Sequence, residues 1–343
     1  ETHGGGGGGM IAGGVGDVTN VTNVVFSNNQ ASGSGSPVGG GIGNGAGTLN
    51  VTGSTFDGNQ SQGSGGGLYY SANSAAGSLT INNSTFKNNV TTGGDGGAIK
   101  TTSASTPYSI SNSTFTGNQA QGTNGTGGAV VNESGTLNID HSTFVNNQVT
   151  ASAGRGGAIG SADGAGHNVT VNFSRFVGNS AATAANGRTL YGGTSSTLTA
   201  NDNWWGVNSG PAANDRAGAT TASTWLQLRH SASPSAIQVG QTSTLTADIL
   251  GRNVGGPIAA SALSGLPAFP MPAGTIFGNA TLGTLSDAGT QFVNGLATAT
   301  FTAGATGGSA SANATADSQI VTATLTVTAD SKWYLYLPVV ERS

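Results

Sequence analysis

Along the first two-thirds of the chain one aromatic position returns at near-constant spacing. It is filled by Phe26, Phe56, Phe86, Phe115, Phe144 and Phe176, then by Trp205, at intervals of 29 to 32 residues. Three residues after each stands an asparagine: Asn29, Asn59, Asn89, Asn118, Asn147, Asn179 and Asn208. Seven and five residues before the aromatic lie alternating apolar positions, as in Leu49/Val51, Leu79/Ile81, Leu137/Ile139 and Val169/Val171. Earlier still comes one more apolar residue, usually after glycines: Ile11, Ile42, Leu68, Ile99, Val130, Ile159 and Leu190. This period-two alternation predicts three short strands per repeat, separated by Gly, Ser, Thr and Asn turns.

A repeat of this size cannot bury its own apolar face, but stacked copies can, one solenoid turn per repeat. At about 4.8 Å between stacked strands, seven turns make a column roughly 34 Å long. Phe, Leu and Ile then form inward ladders. The asparagines stack at a bend, each amide bonding to the next turn, and the paired glycines sit where backbones approach closely. The repeat ends at Asn203-Trp204-Trp205-Gly206, where one Trp fills the aromatic slot and the other is expected to cover the open end.

The organisation expected is therefore a solenoid over 1–211, a linker over 212–233, a second domain over 234–330 and an apolar tail over 331–343. Within the linker, Trp225-Leu226-Gln227-Leu228 is expected to pack back on the solenoid. The second domain shows longer alternating runs, at 237–247, 295–304 and 320–327.

Units such as Leu79-Thr80-Ile81-Asn82-Asn83-Ser84-Thr85-Phe86-Lys87-Asn88-Asn89, with Gly96-Gly97-Ala98-Ile99, resemble the repeats of bacterial polymorphic outer-membrane proteins. The resemblance covers about residues 8–210 and implies a right-handed parallel β-helix. That fold carries lyases, hydrolases, adhesins and passive stalks alike, so it implies no single activity. The region 234–329 resembles the bacterial immunoglobulin-like domains of invasin-type surface proteins, which implies a two-sheet sandwich. It departs from them in the Pro-rich stretch 257–272 and in lacking a Cys–Trp–Cys core. The fold class expected is all-β: a right-handed parallel β-helix of about seven turns followed by an Ig-like β-sandwich.

Composition narrows the functions. With no Cys, thiolate chemistry and Cys-based metal sites are excluded. A net charge of −4 offers no basic excess for nucleic acid. No apolar run is long enough to cross a membrane as a helix. Many Asn-x-Ser/Thr sequons occur, Asn20, Asn83 and Asn112 among them, as the composition dictates. The chain opens at Glu1 rather than Met, which reads as a processed precursor or a piece of a longer protein.

Polysaccharide-active enzymes need acids clustered on one face of neighbouring turns. Placed by repeat phase, Asp57 and Lys87 share a position and are expected to pair at the surface, whereas Asp95, Glu133, Asp140, Asp163 and Asp202 fall apart. No catalytic pair of carboxylates is expected; Asp140 and Asp202 are the best candidates for one. His3, His141, His167 and His230 lack metal-ligand spacing and read as surface or loop residues. Tyr69, Tyr70, Tyr108 and Tyr191 read as scattered surface tyrosines rather than a sugar-binding strip. No cofactor is expected.

The two ends suggest a role. The first turn, near Met10 and Ile11, shows no capping helix. The tail, through Trp333, Tyr334, Leu335, Tyr336, Leu337, Val339 and Val340, is apolar and β-prone, a strand beyond what the sandwich needs. The expectation is a non-enzymatic structural protein, secreted to the cell surface, whose copies assemble head to tail into a fibre. The partner expected is therefore self, with a cell-surface polysaccharide as a second class. The competing readings are a monomeric adhesin or stalk, and a polysaccharide lyase or hydrolase.

Overall fold

The structure, a computed structural model, describes residues 2–3, 7–35, 37–72, 77–102, 107–263 and 276–329. It is all-β with three short 3-10 turns among the described residues. The chain divides into two compact units: the first comprises Glu1–Gln227, Ile249–Pro270 and Val293–Gly295, the second Leu228–Asp248, Met271–Phe292 and Leu296–Ser343.

The first unit is a parallel β-solenoid of about seven turns. Its strands stack into four parallel sheets of seven, eight, eight and six strands, so each turn has four strands, not three. The phenylalanine sheet runs from Val25–Ser27 through Thr55–Asp57, Thr85–Lys87, Thr114–Thr116 and Thr143–Val145 to Arg175–Val177. The broad sheet begins with Val18–Thr22 and Thr48–Thr52, and the isoleucine sheet with Met10–Ala12 and Ile42–Asn44. The fourth, short sheet contains Thr2–His3, Gln30–Ser32, Gln60–Ser61 and Val90–Thr91 and their successors. Its single inward residue per turn is small or polar in Ala31, Ser61, Thr91, Ala120 and Ala181, with Val149 the exception. Two residues with one inward side chain leave no apolar alternation to read. The pairing of Thr2 with Ala31 also brings into the stack residues ahead of the stretch of about 8–210 that carries the repeat resemblance.

Register is kept turn by turn: Phe56 pairs with Phe86 and Phe86 with Phe115, while Ile42 pairs with Leu68 and Leu68 with Ile99. The parallel spacing that aligns the backbones thus stacks like on like, and the core is a set of columns. Bulk would break this packing at the glycine corners. A Cβ on Gly97 would run into the carbonyl of Gly128, and one on Gly128 into that of Gly157. The stretch 212–233 is no free linker: Arg216–Gly218 and Thr220–Thr221 pair onto the last strands of the isoleucine and broad sheets. Trp225 packs against the solenoid core, and its Nε1 donates to the Asn208 carbonyl at 3.0 Å.

Two four-stranded sheets make up most of the second unit. One orders Leu226–Ser233, Thr242–Arg252, Leu296–Ala303 and Gly283–Ser286; the other orders Ala236–Gln238, Gln319–Thr328, Gly308–Ala316 and Phe277–Gly278. Leu296–Ala303 pairs antiparallel with Thr242–Arg252 and Gly283–Ser286, and Gly308–Ala316 with Gln319–Thr328 and Phe277–Gly278, whereas Ala236–Gln238 runs parallel to Gln319–Thr328. Alternate residues of both sheets are buried, among them Leu245, Ala247, Ala299, Phe301, Ala310, Ala312, Leu325 and Val327. This arrangement fits a β-sandwich with an alanine-rich interior.

Candidate functional site

The recurrent aromatics form one continuous stack. Rings from Phe26 through Phe176 to Trp205 lie 4.5–5.2 Å apart and within 29° of parallel. Trp204 is fully buried and bridges Arg175. Beside the stack, Asn29, Asn59, Asn89, Asn118, Asn147 and Asn179 make a ladder in which each Nδ2 donates to the next Oδ1 at 2.9–3.0 Å. From Asn59 onward each amide also donates to a phenylalanine carbonyl of the preceding turn, as Asn118 does to Phe86. Asn208 contributes its backbone carbonyl to Trp225 and Gln227.

A second polar ladder escaped the sequence reading. Ser54, Ser84, Ser113, Ser142 and Ser174 are buried, and each hydroxyl accepts a backbone N–H from the turn before. The signal was present as the recurring Ser two positions ahead of each Phe from Phe56 to Phe176.

Three residues before each aromatic the backbone turns left-handed: Asn23, Gly53, Asn83, Asn112, His141, Phe173 and Asp202 all have φ between 48° and 61°. Gly and Asn accept this conformation cheaply, Asp and His more readily than most residues, and Phe does not. The last three occupants are those that engage the segment 249–263 or each other. His141 Nε2 lies 2.9 Å from the Ala262 carbonyl, the His141 and Phe173 rings stack at 5.5 Å, and Asp202 pairs with Arg252. The departures from the repeat therefore mark where a later stretch of chain lies on the solenoid.

The charged groups distribute differently from the phase argument. Asp57 and Lys87 pair at 3.1 Å at the surface. Asp140 pairs with His141, and Asp202 with Arg252, so neither offers a free carboxylate. Arg155 donates to the Tyr191 hydroxyl at 2.7 Å, stands over its ring, and lies 3.8 Å from Asp163. The expectation that no two carboxylates meet is corrected at Lys100, whose Nζ reaches Asp95 Oδ2 at 3.1 Å and Glu133 Oε1 at 3.0 Å. A loop and a strand end on successive turns bring the two acids to one amine, which one-dimensional phase does not reveal. Burial works against the charge on Lys100, yet the two carboxylates outweigh it and hold its pKa above the usual lysine value. Among the tyrosines, Tyr70 and Tyr108 are fully buried rather than at the surface, and burial pushes the Tyr70 phenol up to about 12.

The first turn is the other distinctive surface. Met10–Ala12, Val18–Thr22 and Val25–Ser27 each stand at the edge of their sheet. Met10 packs partly into the core, while Ile11, Val15, Val18 and Val25 are 67%, 77%, 63% and 68% exposed. One turn later the partners of Ile11, Val18 and Val25 are Gly43, Thr48 and Thr55. The exposed Ile11, Val18 and Val25 of the first turn thus stand beside glycine and threonine in the next. The tail residues Trp333, Tyr334, Leu335, Tyr336, Leu337, Val339 and Val340 lie outside the described residues.

No protein-family model matches the sequence, and no curated protein matches it either. Among solved structures it is similar to that of the Yersinia pseudotuberculosis adhesin InvE, at 27% identity and a TM-score of 0.21. That match covers 30% of this chain and 27% of the adhesin chain, so the present chain spans well under two-thirds of its length.

Proposed function

We propose that this chain is a non-enzymatic extracellular structural protein whose copies polymerise head to tail into a cell-surface fibre. The observation that carries the reading is the first-turn collar: three sheet edges in a row, flanked by exposed Ile11, Val15, Val18 and Val25, where the next turn pairs Gly43, Thr48 and Thr55 with Ile11, Val18 and Val25. An open parallel edge offers unpaired N–H and C=O groups to an incoming strand. The occupant we assign is residues 332–340 of a second copy, an aromatic and aliphatic run suited to strand addition. Such a contact is heterologous and builds an open filament unless rotation closes a ring. In this reading the second unit acts as an immunoglobulin-like spacer of the invasin type and the solenoid as a rigid rod.

The test is electron microscopy and sedimentation of the full chain beside a version ending at Asp330. Filaments that disappear on truncation are expected. Two equally stable monomers would replace the fibre with a monomeric stalk or adhesin, and a glycan array would then address a polysaccharide partner.

A further inference from the structure

The group around Lys100 has the parts of a self-acylating site, and we propose that Lys100 forms an intramolecular amide with Asp95, with Glu133 as the proton carrier. Lys100 stands in the isoleucine sheet between Tyr69 and Val131 of the neighbouring turns, and its side chain is only 11% exposed. The amine donates to Asp95 Oδ2 at 3.1 Å, so the carboxyl carbon it would attack lies one bond beyond its hydrogen-bonded partner. Glu133 Oε1 lies 3.0 Å from the same nitrogen. The second oxygen of Asp95, Oδ1, accepts the backbone N–H of Thr126 at 2.9 Å. A fixed N–H donor on the oxygen that gains charge is what an acyl transfer requires.

These contacts assign different roles to the two acids. Asp95 carries the oxyanion donor and is the less exposed, at 28% against 44% for Glu133, so it is the electrophile. The resting state is the ion pair. Nζ passes one proton to Asp95 Oδ2, and the amine so freed attacks Cγ, forming the N–C bond while Oδ1 takes the negative charge beneath the Thr126 N–H. The nitrogen then gives a second proton to Glu133, which delivers it to Oδ2 as the Cγ–Oδ2 bond breaks. Oδ2 leaves as water with both protons, Oδ1 becomes the amide carbonyl, the third proton stays on nitrogen, and Glu133 ends as it began. No oxidant, metal or co-substrate enters. Burial of Lys100 works against its charge, but the two carboxylates outweigh it, so the ion pair is the resting state that the first proton transfer must leave. The product binds the corner at Asp95 to the strand Ile99–Thr101, replacing a salt-sensitive pair by a covalent tie.

Intact mass spectrometry and tryptic mapping of the purified full chain test this. The expected result is a mass short by one water, and a peptide left uncut after Lys100, in which fragmentation places the link on Asp95. Glu133→Gln keeps size and shape while removing the proton carrier. It is expected to show the full mass and cleavage after Lys100, with a circular dichroism spectrum and melt that establish folding. A full-mass parent chain cleaved normally after Lys100, even after prolonged incubation, overturns the proposal. So does a link placed on Glu133, or an undiminished water loss in a folded Glu133→Gln variant.

Discussion

Arg252 grips Asp202 with two nitrogens: Nε donates to Oδ1 at 2.9 Å and Nη2 to Oδ2. The two residues are 50 positions apart, and the pair ties a returning segment to the last left-handed corner of the solenoid. The planar guanidinium matches a carboxylate in a way that an ammonium cannot. Arg252→Ala is therefore expected to cost about 1–3 kcal/mol, since a partly buried carboxylate loses both donors. Arg252→Lys should recover less than half of that loss. Urea unfolding of the two variants, followed by tryptophan fluorescence, measures both.

The same segment carries a pH dependence. His141 faces acceptors at both ring nitrogens, Asp140 Oδ1 at 3.1 Å and the Ala262 carbonyl at 2.9 Å, so only the doubly protonated ring satisfies both. The hydrogen bond to Asp140 outweighs burial and, with the Ala262 carbonyl, raises its pKa. A group whose folded pKa exceeds its unfolded value of about 6.5 contributes fully below that value and loses the contribution as pH rises through the folded pKa. Stability should thus fall between about pH 6.5 and somewhat above it, and this slope should vanish in His141→Asn, which keeps a residue suited to the left-handed corner.

His230 in the second unit has the opposite sign. Burial pushes its pKa down, beyond what the Thr246 and Ala312 carbonyls restore. Its neutral form is favoured in the fold, so its contribution is present above about pH 6.5 and lost as pH falls through the folded pKa. An NMR titration of the two ring signals should place them on either side of the free histidine value.

Within the aromatic stack, position decides cost. Phe86 has a ring on both sides and is fully buried, so Phe86→Ala should destabilise by about 3–5 kcal/mol. Phe26 stacks only on Phe56 among the described residues and should cost clearly less. Matched denaturation curves would show the difference, and equal losses would mean that stack neighbours matter little.

The asparagine ladder gives a sharper chemical test. Asn118 donates to the Phe86 carbonyl and to Asn147 Oδ1 while accepting from Asn89. Asn118→Asp turns the donor into an acceptor facing two acceptors, at a cost of about 1–3 kcal/mol for each hydrogen bond broken. Because a protonated carboxyl can donate again, that variant should regain stability on acidification, unlike Asn118→Ala.

Much of this was written into the sequence because the solenoid repeats its chemistry in three dimensions. The interval between Phe86 and Phe115 is the length of a turn, so counting residues counts turns, and the asparagine phase locates a corner. What stayed hidden follows from other physics. The short fourth strand buries residues such as Ser61 and Thr91, which carry no hydrophobic signal. The meeting of Asp95, Lys100 and Glu133 depends on how loops project outside the repeat, where phase means little. The docking of 249–263 joins positions such as His141 and Ala262, 121 residues apart, with no periodicity linking them. Yet the odd residues His141, Phe173 and Asp202 at a position otherwise held by Asn or Gly were a visible trace of it.

Every amide in the asparagine ladder points the same way, Nδ2 toward the following turn and Oδ1 toward the preceding one. The carboxamides are thus a row of aligned dipoles running from Asn29 to Asn179, and the rod is polar in the electrical sense as well as in chain direction.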